Sequence, residues 1–581
     1  MKYPKEIREI IQQKAVAWKK LKLGAIKKHK NNYLIPILRE SEESDPIISD
    51  TDKANKFREI FDKIVSGDRN NKQASLKSGD EYQGENIFEP YIIEKLLKKL
   101  PNKLSHSPEN INQYFLKKCA TPLALPLSIL YNNTFKIGIV PELWKKAHIL
   151  PIYKKKCSLN DPKNYRPIAL TSPICRIFER LIANNILEHL NKHKIIAEEQ
   201  FGFLPKSSCT LQLLSSMQDW YNSLDRKLGT DVIYFDFEKA FDSVDHEILI
   251  RKLCEIKIDR LTIRWIANFL TNRSHTVKIG EHVSEPFLPK TGVPQGTVLG
   301  PLLFLIFIND LPKNIPTNIK VKLYADDFKL YSEIKTEKDC IQLQGAIDNA
   351  CKWAEKNKLK FSITKVKVLK IYNKIKFNYA INGEKIEEVN NIRDLAKITK
   401  SSFIRLNNIL RILPKTLPIE TYVKAFKTYV RPIMEYSTES FRPKLEYLNK
   451  QLEKPQRNFT RKVLRYKFKY QKIEYTDRLK RCSLPPTNIR RIRTDLMTTF
   501  KIIKGFYKIK PEQMFSKPNR NNPRLHRYQI FKKQAQNNHF FSHRVIDRWN
   551  KLPKNEIEKI NTIPQFKKFL DNILITEDPN L

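Results

Sequence analysis

Glycine is scarce in this sequence, with 14 in 581 residues, where an ordinary globular chain carries about 7%. A chain that avoids glycine keeps it where the backbone needs it. Three of the 14, Gly292, Gly296 and Gly300, fall within nine residues of one another. Cysteine is also sparse: eight are scattered from Cys119 to Cys482. None forms a CxxC pair or has a histidine at zinc-knuckle spacing, which argues against a structural zinc site and a disulfide framework and favours a reducing compartment. The wholly apolar part of the longest uncharged run, 291–309, is PLLFLIFI (301–308), long enough for a core segment and short of the ~18 apolar residues of a membrane span. No signal peptide opens the chain, because residues 1–30 are amphipathic and Lys-rich. These absences lead to the expectation of an intracellular protein, soluble or particle-bound, with no membrane partner.

Negative charge is the last shortage. Against 107 Lys and Arg stand 62 Asp and Glu, a net charge of +45. Such an excess repels itself unless a polyanion neutralises it, and a phosphate backbone is the commonest such partner. The imbalance is steepest at the end: over 441–581, 34 basic residues against 12 acidic ones leave +22. Hydrophobic residues still make up 41%, enough for a folded core rather than a disordered tail. The length allows about three to five domains or subdomains.

Residues 1–65 read as a basic helical segment and 66–86 as a polar linker. Helical periodicity returns from 88 to 150. VIYFDF (232–237) reads as a buried strand, and the stretch after it, through HEILIRKLCEI, as a helix. IKVKLYADDFKLYSEI (319–334) alternates about a central Ala-Asp-Asp, the pattern of a β-hairpin with acids at its turn. Beyond residue 400 the chain reads as mostly helical.

In so basic a chain, carboxylates at strand ends need a reason. Asp236 ends the predicted strand, and Asp326 and Asp327 sit at the predicted hairpin tip. If strand and hairpin share one sheet, the three acids converge. Neighbouring carboxylates resist ionisation unless a cation neutralises them. Oxygen-only ligands suit Mg²⁺ or Mn²⁺. Two such ions about 4 Å apart can activate a 3′-hydroxyl and stabilise departing pyrophosphate.

FDFEKAFDSVDH (235–246), TGVPQGTVLGPLLF (291–304) and YADD (324–327) resemble, in order and spacing, polymerase motifs A, B and C of reverse transcriptases from non-LTR retrotransposons, the jockey-like and LINE-type mobile elements. PELWKKAHILPIYKK (141–155), NYRPIAL (164–170), EEQFGF (198–203), LKFSITKVKVL (359–369), RPIMEYS (431–437) and RWNKLP (548–553) resemble further segments of that family. The resemblance covers roughly 90–570. It implies an α/β right-hand polymerase: fingers and a palm with an antiparallel sheet, a helical thumb and a helical, basic C-terminal region. Its parts are expected at 1–65 (basic helical N-terminal segment), 66–86 (linker), 87–133 (N-terminal extension), 134–400 (fingers and palm), 401–500 (thumb-like) and 501–581 (basic C-terminal region).

Position by position, the resemblance makes Asp236, Asp326 and Asp327 the ligands of two Mg²⁺ or Mn²⁺ ions. It makes Lys365 the motif D lysine, a general acid for pyrophosphate. Lys154 and Arg166 fall where basic residues hold the triphosphate, Phe241 where a ring lies under the sugar, and Gln295 and Gly296 where the incoming nucleotide is met. The implied reaction is Mg-dependent addition of dNTPs to a DNA primer on an RNA template, with target DNA as a further partner, in the nucleus and a cytoplasmic ribonucleoprotein particle. Neither an endonuclease nor a ribonuclease H constellation is expected. Ser107-Pro108-Glu109 stands where the family often has Gly-Pro-Asp, Ser207-Ser208 where Arg-Ser is usual, Ser362 where Asn is common, and Ala396 where Gly is, in a shortened stretch at 395–403. These departures keep open a catalytically inactive, nucleic-acid-binding descendant of a retroelement. A group II intron-type maturase is a third reading, against which the RWNKLP tail counts.

Overall fold

Among the described residues of the computed structural model, eleven strands follow one another: β1 (Lys146–Tyr153), β2 (Tyr165–Leu170), β3 (Gly229–Phe235), β4 (Ser274–Ile279), β5 (His282–Val283), β6 (Lys320–Tyr324), β7 (Asp327–Ile334), β8 (Lys367–Ile371), β9 (Ala380–Ile381), β10 (Glu384–Lys385) and β11 (Glu387–Glu388). The structure describes residues 35–39, 45–65, 87–103, 107–154, 158–389, 395–440, 446–468, 473–516, 526–531 and 540–577. The predicted linker 66–86 lies outside them. The chain divides into two compact units, Met1–Ala197 with Phe237–Leu311 and Trp353–Lys360, and Glu198–Asp236 with Pro312–Lys352 and Phe361–Leu581. The units interleave along the sequence.

The first unit holds a four-stranded sheet in the order β2-β1-β4-β5. β1 pairs antiparallel with β2, Ile152 facing Arg166, and parallel with β4. Its core is aromatic and branched: Phe57, Phe61, Ile149, Tyr165, Val277 and Phe287. Phe57 and Phe61 come from the helix Asp50–Val65. The expected helical run 1–65 is shorter among the described residues, because Leu38 and Ile47 pair as an isolated bridge before it. A second cluster centres on Phe178 of the helix Pro173–Lys192, whose ring meets Phe88, Tyr131, Phe135, Trp144 and Trp265. The apolar run at 301–308 lies in the helix Leu299–Ile308, nearly all of it buried.

The helix after the predicted strand starts later than its periodicity implied. It spans His246–Glu255, and residues 238–243 are turns. Two features explain the delay. Lys239 has a left-handed φ of 50°, which ends any helix there. Asp245 accepts a hydrogen bond from Ile248 N (3.1 Å), the N-cap that fixes the start.

The second unit holds a five-stranded sheet, β11-β8-β3-β7-β6, in which β3 pairs antiparallel with both β7 and β8 and only β11 runs parallel to its neighbour. β3 is central and buried on both faces, which explains an apolar run with no alternation. It ends at Phe235, one residue before Asp236. The helix Cys209–Asp225 supplies Trp220 against Val232, Tyr331 and Leu369. Ser208 caps that helix by accepting from Leu211 N. Beyond residue 395 the unit is helical, with one core around Tyr422, Phe426 and Phe459 and another around Phe500, Trp549 and Phe566. The second core also takes in Phe201, Leu211 and Leu214. Among the described residues no helix is long and apolar enough to cross a membrane.

Candidate active site

The hairpin forms where the alternation placed it. Tyr324 pairs with Asp327 across a two-residue turn, Ala325-Asp326. Phe235 faces Phe328 in the β3–β7 register, so Asp236 comes level with Asp327. The two rings stack at 4.3 Å and 9°, with Phe361 tilted against both. Side chains alternate across a pleat. With Phe235 and Phe328 on one face, the register assigns Asp236 and Asp327 to the other.

Asp236 has two ties. Its carbonyl accepts from Ser362 N (2.8 Å), and its carboxylate oxygen Oδ2 meets Lys365 Nζ at 2.6 Å. Ser362 and Lys365 thus flank it through backbone and side chain. Asp326 is partly buried and Asp327 exposed. The donor set fits a hard divalent cation: it is all oxygen, open to solvent, and an ammonium already sits against one of its carboxylates. The backbone register brings Asp236 level with Asp327, with Asp326 beside it in the turn. This is not a finished side-chain cage, since among the described residues no three His, Cys, Asp or Glu side chains form a metal-holding group.

The other expected site residues belong to the first unit. Arg166 is exposed on β2, opposite Ile152. Lys154 is exposed just after β1, its Nζ donating to Lys163 O (2.8 Å). Ala169 N of β2 donates to Gln295 O (2.7 Å). Gly296 has φ +117°, and a Cβ there would overlap Ala169 O. That close approach explains one glycine of the cluster. Gly292, at φ +90°, abuts the Asp242 backbone and explains another.

Gln295 has a partner in Asp242. Its Nε2 donates to both carboxylate oxygens of Asp242, each at 3.0 Å. Burial pushes the Asp242 carboxyl up to about 6, against the opposing pull of Gln295, Lys239 and Lys154. Asp242 and Gln295 line a cavity with Ala169, His246, Arg273 and Gly292. Nothing in the one-dimensional pattern pairs residues 53 apart. The Phe241 ring stacks on Phe304 at 4.5 Å and 19°, and Phe241 O accepts from Val293 N (2.8 Å).

A second omission is Gln200, in the segment EEQFGF. Its Oε1 accepts from Gly202 N (2.7 Å) and from Ala325 N (3.1 Å), at the hairpin turn.

Comparison with known proteins agrees with this geometry. Residues 152–389 match the family model described as reverse transcriptase (RNA-dependent DNA polymerase). A probable RNA-directed DNA polymerase from transposon BS of Drosophila melanogaster is 31% identical over 279 residues, 46% of this chain and 31% of that protein. The RNA-directed DNA polymerase from mobile element jockey of the same species is 28% identical over 270 residues, 45% of this chain and 29% of that protein. Its Drosophila funebris counterpart is 25% identical over 378 residues, 60% of this chain and 41% of that protein. The chain thus spans less than half the length of each of these relatives.

Proposed function

We propose that the chain, whose residues 152–389 match the reverse transcriptase family model, is the RNA-directed DNA polymerase of a jockey-like non-LTR retrotransposon, built as a right-hand polymerase. It adds deoxynucleotides to a DNA primer 3′-OH on an RNA template. The observation that carries this reading is the register that brings Asp236 level with Asp327 at the tip of an antiparallel sheet, with Lys365 on Asp236.

Asp236, Asp326 and Asp327 would hold two Mg²⁺ ions. When bound, such ions lower the pKa of the attacking hydroxyl and neutralise the leaving phosphate oxygens. The chain's own residues do the rest. Asp236 and the hairpin fix the carboxylates in place. Lys365, whose Nζ lies 2.6 Å from Asp236 Oδ2, would give a proton to pyrophosphate. Arg166, with a planar fork suited to phosphate, and Lys154 hold the triphosphate. Gln295, oriented by Asp242, and Gly296, which lets the backbone come close, meet the base and sugar.

The test is extension of a primer on an RNA template by the purified chain with Mg²⁺. Replacing Asp326 and Asp327 by Ala should abolish extension and leave RNA affinity within about twofold, because the basic surface supplies the affinity. Undiminished extension by the double variant would sink the assignment.

A further inference from the structure

The hairpin turn is in a conformation its sequence does not favour. Ala325 has φ +55°, at the first position of a two-residue turn, where glycine is preferred. Such a residue stays in place only when its surroundings over-determine it. Here the surroundings are the segment Glu199–Gly202. It runs beside β6 as an extra partner: Leu323 N donates to Glu199 O (2.9 Å), and Phe201 N donates to Leu323 O (2.8 Å). The chain then turns so that Gly202 lies against the turn backbone, where a Cβ would overlap Ala325 N. The Gln200 side chain, 2% exposed, fills the remaining gap. One amide oxygen takes both N–H groups, with both lone pairs used.

The geometry points to Gln200 as a positioning residue that locks the turn carrying Asp326 and Asp327, with Gly202 as the surface that permits the contact. This rests on the hairpin being the metal-binding element of a polymerase. The brace continues outward. Lys508 Nζ donates to Gln200 O (2.8 Å) and lies over the Phe201 ring. Lys508 N in turn donates to Lys206 O (2.9 Å). The segment holding the turn is therefore itself held by the C-terminal region.

Gln200→Leu removes the shared acceptor at nearly constant volume, and Gln200→Glu keeps an oxygen there. Two readouts separate positioning from mere folding. The first is amide hydrogen exchange in the peptide containing Ala325, measured without metal or substrate. Exchange should quicken in Q200L and return toward the parent rate in Q200E. The second is steady-state extension. Q200L should lower kcat by about 10- to 100-fold, the scale of a reacting group displaced by an ångström, and raise the Mg²⁺ concentration needed for half-maximal rate. KM for the nucleotide should stay within about twofold, because uniform binding is untouched. Q200E should recover most of the loss. Gly202→Ala, which keeps Gln200, should give the same kcat loss from the other side of the contact and serves if Q200L does not fold. Equal exchange and equal kcat in Q200L, or a Q200E no better than Q200L, would overturn the inference. A parent chain that extends no primer defeats the polymerase reading instead, and the exchange experiment still decides the brace.

Discussion

Phe241 and Asp242 are adjacent, and the structure gives each a defined neighbour. The resemblance puts Phe241 under the sugar, in a stretch whose spacing reads as a helix. That helix starts at His246, so the ring is placed by turns and by its stack on Phe304. A ring can be packed on one face and still block a 2′-hydroxyl with the other, and steric exclusion penalises only the wrong substrate. Phe241→Val should therefore gain ribonucleotide incorporation, retain deoxynucleotide extension, and lose about 1–3 kcal/mol of stability from the vacated stack. Extension with each nucleotide type, beside a denaturant titration, checks both parts. An unchanged sugar preference in a folded, active variant removes Phe241 from the gate. Asp242 yields a pH signature. Its folded pKa of about 6 lies above its ordinary value of 3.8. The folded state thus holds a proton that the unfolded state releases between pH 4 and 6, and folding weakens across that window as pH rises. Asn in its place does not titrate. Asp242→Asn should gain stability relative to the parent between pH 4 and 7, by on the order of 2 kcal/mol, as followed by urea midpoints. A difference that stays flat over that range contradicts the burial of the charge.

At the scale of elements, the hairpin and β3 were legible in the sequence because alternation and an unbroken apolar run each have one ready interpretation. The three acids were legible for the same reason: they stand at the ends of those elements. The helix start at His246 was not, because FEKAF keeps helical spacing while Lys239 adopts a left-handed φ that no spacing reveals. Nor were Gln200 and Asp242, since each acts through a partner more than 50 residues away. β7 hides another such case. Lys329 looked like the polar half of an alternating strand, yet it is 4% exposed. It faces Lys322 across the hairpin and lies over the rings of Trp220 and Tyr234. Burial lowers it to about 8. Its folded pKa is below the unfolded one of about 10.4, so the cost of the buried cation is present in full below pH 8. It is relieved as pH rises from about 8 to about 10.4, because the unfolded chain then binds the extra proton. Lys329→Met should stabilise the protein at pH 7 by about 1–3 kcal/mol, with the advantage shrinking by pH 10. Thermal unfolding of both proteins at the two pH values measures it. A destabilised variant would show that the ring contacts outweigh desolvation.

Over the whole molecule, a charge of +45 is too coarse to say where a polyanion would lie. Part of the C-terminal excess is spent internally: Arg490 pairs with Glu435, Arg493 with Asp571 and Arg544 with Asp495. The aromatic residues there are committed as well. Tyr466 and Phe468 pack against the helical core. What stays exposed has a pattern. On the helix Glu446–Lys467, Lys454, Arg457, Arg461 and Arg465 are all exposed at spacings of three and four, which puts them on one helix face. A row of cations about 6 Å apart matches a phosphate backbone better than it matches discrete carboxylates. Each phosphate neutralised releases counterions, so the logarithm of affinity falls linearly with the logarithm of salt concentration, by about 0.9 per contact on a duplex. Replacing Arg461 and Arg465 together by Glu should weaken binding to an RNA–DNA duplex at low salt. It should also flatten that slope by about 2 if both contact phosphate. The Asp326/Asp327 double variant should keep the parent slope, because its change lies in the second unit's sheet and not on this face. Fluorescence anisotropy of a labelled duplex across a salt series reads all three proteins. A parent slope near zero would mean that affinity does not come from charge. An unchanged slope in the arginine variant would move the contact to another face.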